Sequence, residues 1–112
     1  MSTPYQRGTA FEHRVKAELE AEGWLVVRSP ASKSPVDLVG LPSRDKGERL
    51  PVAVQCKLAG IMAPSDRKAL VDLASRYRVL PVMAYTLRPR GLVHYSIVRV
   101  DSRITQWPTW SP

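Results

Sequence analysis

The segment "SDRKALVDLASRY", residues 65–77, constrains the fold more than any other part of the chain. Leu70, Leu73, Ala74 and Tyr77 fall on one face of a helix, with Ser65 placed as its expected N-cap. The segment separates two strand-like runs, "PVAVQCKL" and "PVMAYTL". A helix between two strands permits a parallel crossover, whereas a tight hairpin permits only an antiparallel return. A mixed sheet is therefore expected.

The remaining elements read outward from that unit. In "GTAFEHRVKAELEAE", Gly8 to Glu22, the apolar residues Phe11, Val15 and Leu19 recur every fourth position, which predicts an amphipathic helix ended by Gly23. "WLVVRS" is a short buried strand, and "VDLVG" a second one after the loop "SPASKSP". The polar turn "LPSRDKGER" then leads as a hairpin connection into "PVAVQCKL". "PVMAYTL" and "LVHYSIV" flank the turn "RPRG", with Pro81 at a strand start or edge. The order is αβββαββ. At 112 residues this is one α/β domain spanning 1–112, with a central mixed sheet flanked by helices. Residues 101–112, "DSRITQWPTWSP", show no period and read as a C-terminal tail.

Composition narrows the function. One cysteine, Cys56, excludes an internal disulfide framework and any multi-cysteine zinc site. No apolar run reaches the ~18 residues of a membrane span, so a soluble, cytoplasmic protein without membrane contact is expected. The net charge of +7 favours a polyanionic partner such as nucleic acid. Arginine outnumbers lysine 12 to 5, and arginine forks match phosphate oxygens, although a GC-rich coding sequence also enriches arginine.

Chemistry concentrates in the two strands that should form the hairpin. Gln55 and Lys57 share one face of "VAVQCK", and Asp37 in "VDLVG" can lie opposite them. A carboxylate, an amide oxygen and an ammonium in one small volume need partners if buried. A hard divalent cation such as Mg²⁺ would be one. The plainer alternative is an Asp37–Lys57 salt bridge on a solvated sheet face. Glu12 falls at the edge of the first helix's apolar arc and Glu18 at the other edge, so the helical wheel does not choose between them. Geometry alone leaves Glu12 a solvated helix acid.

"RGTAFEHRVKAELEAEGWLVVRSPASKSPVDLVG" followed by "VAVQCK" resembles the Holliday junction resolvases of archaea and some phages, a branch of the PD-(D/E)xK nucleases with a restriction-endonuclease-like fold. The likeness runs from Arg7 to about Val98 and includes "LVDLASRYRVLPVMAY". It implies a metal-dependent endonuclease that cuts four-way DNA junctions. Gly8 and Glu12 match the start of the family's first helix, where it has a glutamate that acts at the metal site; Asp37 matches its metal-binding aspartate and Lys57 the lysine of its ExK motif. Ser32 and Lys33 match a serine and a lysine placed near the scissile phosphate, although a loop serine also serves ordinary turn chemistry. Gln55 stands where the family has glutamate. Its oxygen can still ligate a hard cation but brings no charge. Three readings stay open: a working natural variant, a deliberate inactivation, or a DNA-binding protein descended from a nuclease.

The resemblance implies Mg²⁺ (or Mn²⁺ in its place) held by Asp37, Gln55 and Glu12, with Lys57 acting on the attacking water or on developing charge. Arg7, Arg14, Arg28, Lys33, Arg44, Lys46 and Arg49 frame that site and are candidates for contacts to the DNA backbone. The absence of an evident base-reading helix fits an enzyme that reads branched shape. Two symmetric cuts imply a homodimer. Tyr95, Ile97, Trp107 and Trp110 are candidates for its interface, with Ile97 expected in the core and the two tail tryptophans outside it.

Overall fold

The computed structural model describes residues 3–29 and 34–112 of the chain. Its elements are α1 (Pro4–Ala21), β1 (Trp24–Arg28), β2 (Leu38–Pro42), β3 (Val52–Lys57), α2 (Pro64–Tyr77), β4 (Leu80–Thr86) and β5 (Val93–Ile97), with short 3-10 turns at Arg44–Lys46 and Ile104–Gln106. The sheet order is β1-β2-β3-β4-β5. β3 and β4 run parallel, joined by the α2 crossover, and the other neighbours pair antiparallel. The expected αβββαββ order and mixed sheet are both present.

Element ends differ from the sequence reading for local reasons. α1 begins at Pro4, not Gly8. Thr3 accepts a hydrogen bond from the Gln6 N–H, and the Gln6 side chain accepts one from the Thr3 N–H, a reciprocal cap that satisfies two free donors. Pro4 supplies the backbone angle of a first helical residue and has no N–H to leave unpaired. The same effect moves the start of α2: Pro64 is its first residue, so Ala63 occupies the cap position and Ser65 lies inside the first turn. β2 runs through Leu41 and Pro42, which leaves Asp37 just ahead of it.

Each face of the sheet is covered by one helix. Phe11, Val15 and Leu19 of α1 pack on Val26, Leu38, Val52, Val54 and Val82. On the other face Leu70, from α2, packs with Met62, Ala53, Met83 and Val98. β3 lies in the middle, with Val52 and Val54 fully buried under one helix and Ala53 buried under the other. Val52 of β3 and Trp24 of β1 close over β2 at Gly40, which has no side chain there. A Cβ at Gly40 would sit 2.8 Å from Val52 Cγ2 and 3.3 Å from the Trp24 ring.

The tail tryptophans belong to the core and not to an exposed surface. Trp107 joins the α2-side cluster, with its Nε1 donating to Ser102 O at 3.3 Å. Trp110 joins the α1-side cluster, edge-on to both Trp24 and Tyr95. The sequence reading failed here because the tail has no periodicity of its own; it borrows order from β5. Ile97 N donates to Pro108 O, Trp110 N donates to Tyr95 O, and Ser96 bridges Thr109. Tyr95 is buried, and Ile97 packs against the core as expected.

Gly40→Ala should destabilise the fold by about 1–3 kcal/mol through overpacking. Denaturant unfolding checks this; a midpoint equal to that of the parent would show that Val52 and Trp24 can give way.

Candidate functional site

The carboxyl ends of β1 and β3 meet the first turns of α1 in an open cleft of about 360 Å³. One wall is a single stripe of α1, carrying Tyr5, Gly8 and Glu12; the other is the sheet end, with Arg28, Asp37, Gln55 and Lys57. Strand parity brings the last two to the same end of β3, and the β2–β3 pairing brings Asp37 beside them.

Asp37 brackets Gln55. Its N–H donates to Val54 O at 2.9 Å, and its Oδ2 accepts from the Cys56 N–H at 2.8 Å. Burial raises its carboxyl above the ordinary value of 3.8. The Cys56 bond lowers it, the Glu12 charge raises it further, and Lys57 and Arg28 lower it. Burial dominates, so the cleft holds a carboxylate whose charge is incompletely compensated. Burial, with the charges of Asp37 and Glu12, also pushes the Cys56 thiol far up, which leaves it a neutral part of the wall.

The Gln55 side chain is 8% exposed, and its Oε1 is buried without a hydrogen-bond partner. An unmet buried acceptor costs about 1–3 kcal/mol, and nothing in the fold offsets it. It lines the same cleft as the Asp37 carboxylate. Two carboxylates and an unmet amide oxygen form a hard, all-oxygen donor set of the kind that suits Mg²⁺. Among the described residues no group of three or more His, Cys, Asp and Glu side chains could hold a metal ion.

Glu12 is not a free solvated acid. Arg28 Nε donates to its Oε1 at 3.0 Å, and both side chains are mostly buried in the cleft wall. Glu18, at the other edge of the wheel, instead accepts from Tyr95 OH and pairs with Arg14. The anticipated Asp37–Lys57 salt bridge does not form. Lys57 Nζ pairs with Asp66 Oδ2 at 3.5 Å, across the crossover from α2. That contact joins residues from different elements, and no local pattern announces it.

The framing cations divide. Arg28 lies in the cleft, and Arg7 is exposed on α1 next to Gly8. Arg14 donates to Gly91 O, bracing the β4–β5 turn. Arg44, Lys46 and Arg49 follow β2, at the end of the sheet away from the cleft. Lys46 and Arg49 donate to the main-chain oxygen of Pro112, and the Arg49 guanidinium lies 5.1 Å from the Trp24 ring and 5.2 Å from the Trp110 ring. These two cations secure the tail. Ser32 and Lys33 lie outside the described residues; Ser29 and Ser34, which the sequence reading did not select, line the cleft nearby.

A model of the archaeal Holliday junction resolvase (Hjc) family matches residues 3–86. Among solved structures, Hjc of Archaeoglobus fulgidus, a Holliday junction resolvase from an archaeal hyperthermophile, superposes with a TM-score of 0.64. The two chains are 22% identical, and the match covers 80% of this chain and 70% of that one, a likeness of fold. No curated protein matches the sequence.

The raised Asp37 carboxyl gives a signed prediction. A carboxyl whose folded value exceeds its unfolded one contributes stability below the unfolded value, about 3.8, and loses that contribution as pH rises through the folded value. At pH 7 the full loss applies. Asp37→Asn keeps an oxygen for the Cys56 N–H and removes the charge, so its melting temperature at pH 7 should be at or above that of the parent, with the gap closing near pH 3.5. Calorimetry at both values checks it; a clear loss at pH 7 would show the carboxylate to be fully compensated.

Proposed function

The chain belongs to the archaeal Holliday junction resolvase family, and on that premise we propose that it is a divalent-metal-dependent endonuclease cutting four-way DNA junctions by paired, symmetric phosphodiester hydrolysis. The observation that carries the chemistry is the buried, partnerless Gln55 oxygen beside the desolvated Asp37 carboxylate in one open cleft. Asp37, Gln55 and Glu12 would hold Mg²⁺, or Mn²⁺ in its place, and the bound ion would supply a water of lowered pKa and a counter-charge for the phosphate.

The chain's own groups do the rest. Lys57, drawn toward α2 by Asp66, stands at the cleft as a proton donor or counter-charge to the phosphate. Arg28 pairs with Glu12 in the free protein and would contact the substrate backbone once DNA is bound. Arg7 extends the basic rim, and Ser32 and Lys33 are proposed to meet the phosphate from their loop. Arg14 and Arg44, further out, are candidates for contacts to the junction arms, whereas Lys46 and Arg49 are already engaged with the tail. A homodimer would present two such clefts to the two strands, in the cytoplasm, where the DNA lies. No helix of the described residues is long and apolar enough to cross a membrane. One second reading has a specific observation behind it: the neutral Gln55 weakens the cation site, which favours a protein that grips branched DNA without cutting it.

A labelled four-way junction and a linear duplex of matching sequence, each with and without Mg²⁺, separate the two. Paired nicks on the junction, only with metal, are expected. Asp37→Asn should then lower cleavage by about a hundredfold or more while binding survives; full activity in that variant would overturn the site. Binding without cleavage in Mg²⁺ and Mn²⁺, together with a large gain on Gln55→Glu, would establish the binding reading instead.

A further inference from the structure

Two residues of the cleft have no explanation in the fold. Gly8 lies inside α1, where glycine weakens a helix relative to alanine. A Cβ built there meets nothing within 4 Å, so no close packing demands its absence. Its φ is not in the left-handed region that would call for glycine. Tyr5, three residues earlier on the same stripe, is 78% exposed, with a large apolar ring left in water. Both line the cleft that the nine-tenths-buried Gln55 also lines, its Oε1 without a partner.

The stripe Tyr5–Gly8–Glu12 follows helical spacing, and its ends are about 10 Å apart along the axis at ~1.5 Å per residue. Between them the wall carries only Gly8 and the short side chain of Thr9. The reciprocal Thr3–Gln6 cap and Pro4 hold this first turn rigid, so the Tyr5 ring projects from a fixed platform. We propose that these two turns form a nucleotide subsite: Gly8 is a floor against which the sugar-phosphate of the cut strand lies, and Tyr5 stacks on the base beside the scissile phosphate.

This deepens the resolvase reading and rests on it, because it identifies which nucleotides the cleft takes. In a continuous duplex each base is stacked on both sides, and a ring can enter only by breaking that stack. At a branch point a base has lost one neighbour, and an exposed aromatic face can replace it without regard to sequence. The subsite is therefore a determinant of branched over linear DNA. Arg28 in the cleft and Arg7, next to Gly8 on α1, would supply charge for the flanking backbone and do not distinguish the two.

The test uses the full chain and a four-way junction carrying 2-aminopurine at the branch, read by fluorescence without metal and by cleavage with Mg²⁺. Stacking on Tyr5 should quench the probe. Tyr5→Ala should abolish the quench and lower kcat/KM on the junction about tenfold, and Tyr5→Phe should restore both. Gly8→Ala should raise Tm by a few degrees yet cleave more slowly than the parent, and Gly8→Leu should fold and cleave more slowly still. If the parent cleaves the junction and Tyr5→Ala or Gly8→Leu cleaves it equally well, the subsite is overturned while the resolvase reading stands. If the parent neither binds nor cuts junctions, both fall together.

Discussion

Everything in this molecule is referred to β3, because β3 is buried on both faces. Val52 and Val54 are sealed beneath α1, and Ala53 lies beneath α2. A strand covered twice needs a neighbour on each edge to satisfy its main chain, and here those neighbours run in opposite senses: β2 antiparallel through a turn, β4 parallel through α2. The crossover then decides which helix covers which face. Once that is fixed, β3 leaves the core at its carboxyl end beside the first turns of α1 and the end of β1, with Asp66 of α2 on Lys57.

The site at that end works against the stability of the fold that makes it. Asp37 is desolvated more than its hydrogen bond compensates, Gln55 presents an unmet acceptor, Gly8 weakens a helix without steric need, and Tyr5 leaves a ring in water. Each is a mild local conflict, and all four open into one cleft. Several polar groups elsewhere are employed, Arg14 on the Gly91 carbonyl, Thr86 on the Leu58 carbonyl and Arg49 between two indoles, although Trp24 Nε1 is also buried without a partner. Local conflicts of four different kinds lining one cleft are the pattern of a site shaped by function.

What could be read beforehand follows the range of the interaction concerned. The recurrence of Phe11, Val15 and Leu19 and the two-residue alternation of Val52, Val54 and Cys56 are set within a few residues, and the α1 face and the strand parity follow from them; of the face read for α2, Leu70, Leu73 and Ala74 pack inward but Tyr77, at its last turn, is exposed. Asp37 beside Gln55 was legible because a hairpin is nearly local. Thr3–Gln6 is local too, but it precedes the Phe11, Val15 and Leu19 recurrence from which the helix is read. Asp66 beneath Lys57, Arg14 on Gly91 and Trp110 on Trp24 join residues that only the finished fold brings together. The cations after β2 were the most misleading: charge counting treats Lys46 and Arg49 like Arg28, whereas their neighbours make them clamps for the chain's last residues.

The way those last residues lie has a further consequence for how copies can join. By pairing Ser96 with Thr109 and donating from Ile97 and Trp110, the tail covers the outer edge of β5. Among the described residues nothing pairs with the outer edge of β1, whose Leu25 and Val27 are exposed on the face that α2 does not reach. A sheet with two open edges can add copies at both ends and grow into a fibre. With one edge closed, any strand-to-strand joining through β1 uses up the remaining edge of each copy and stops at two.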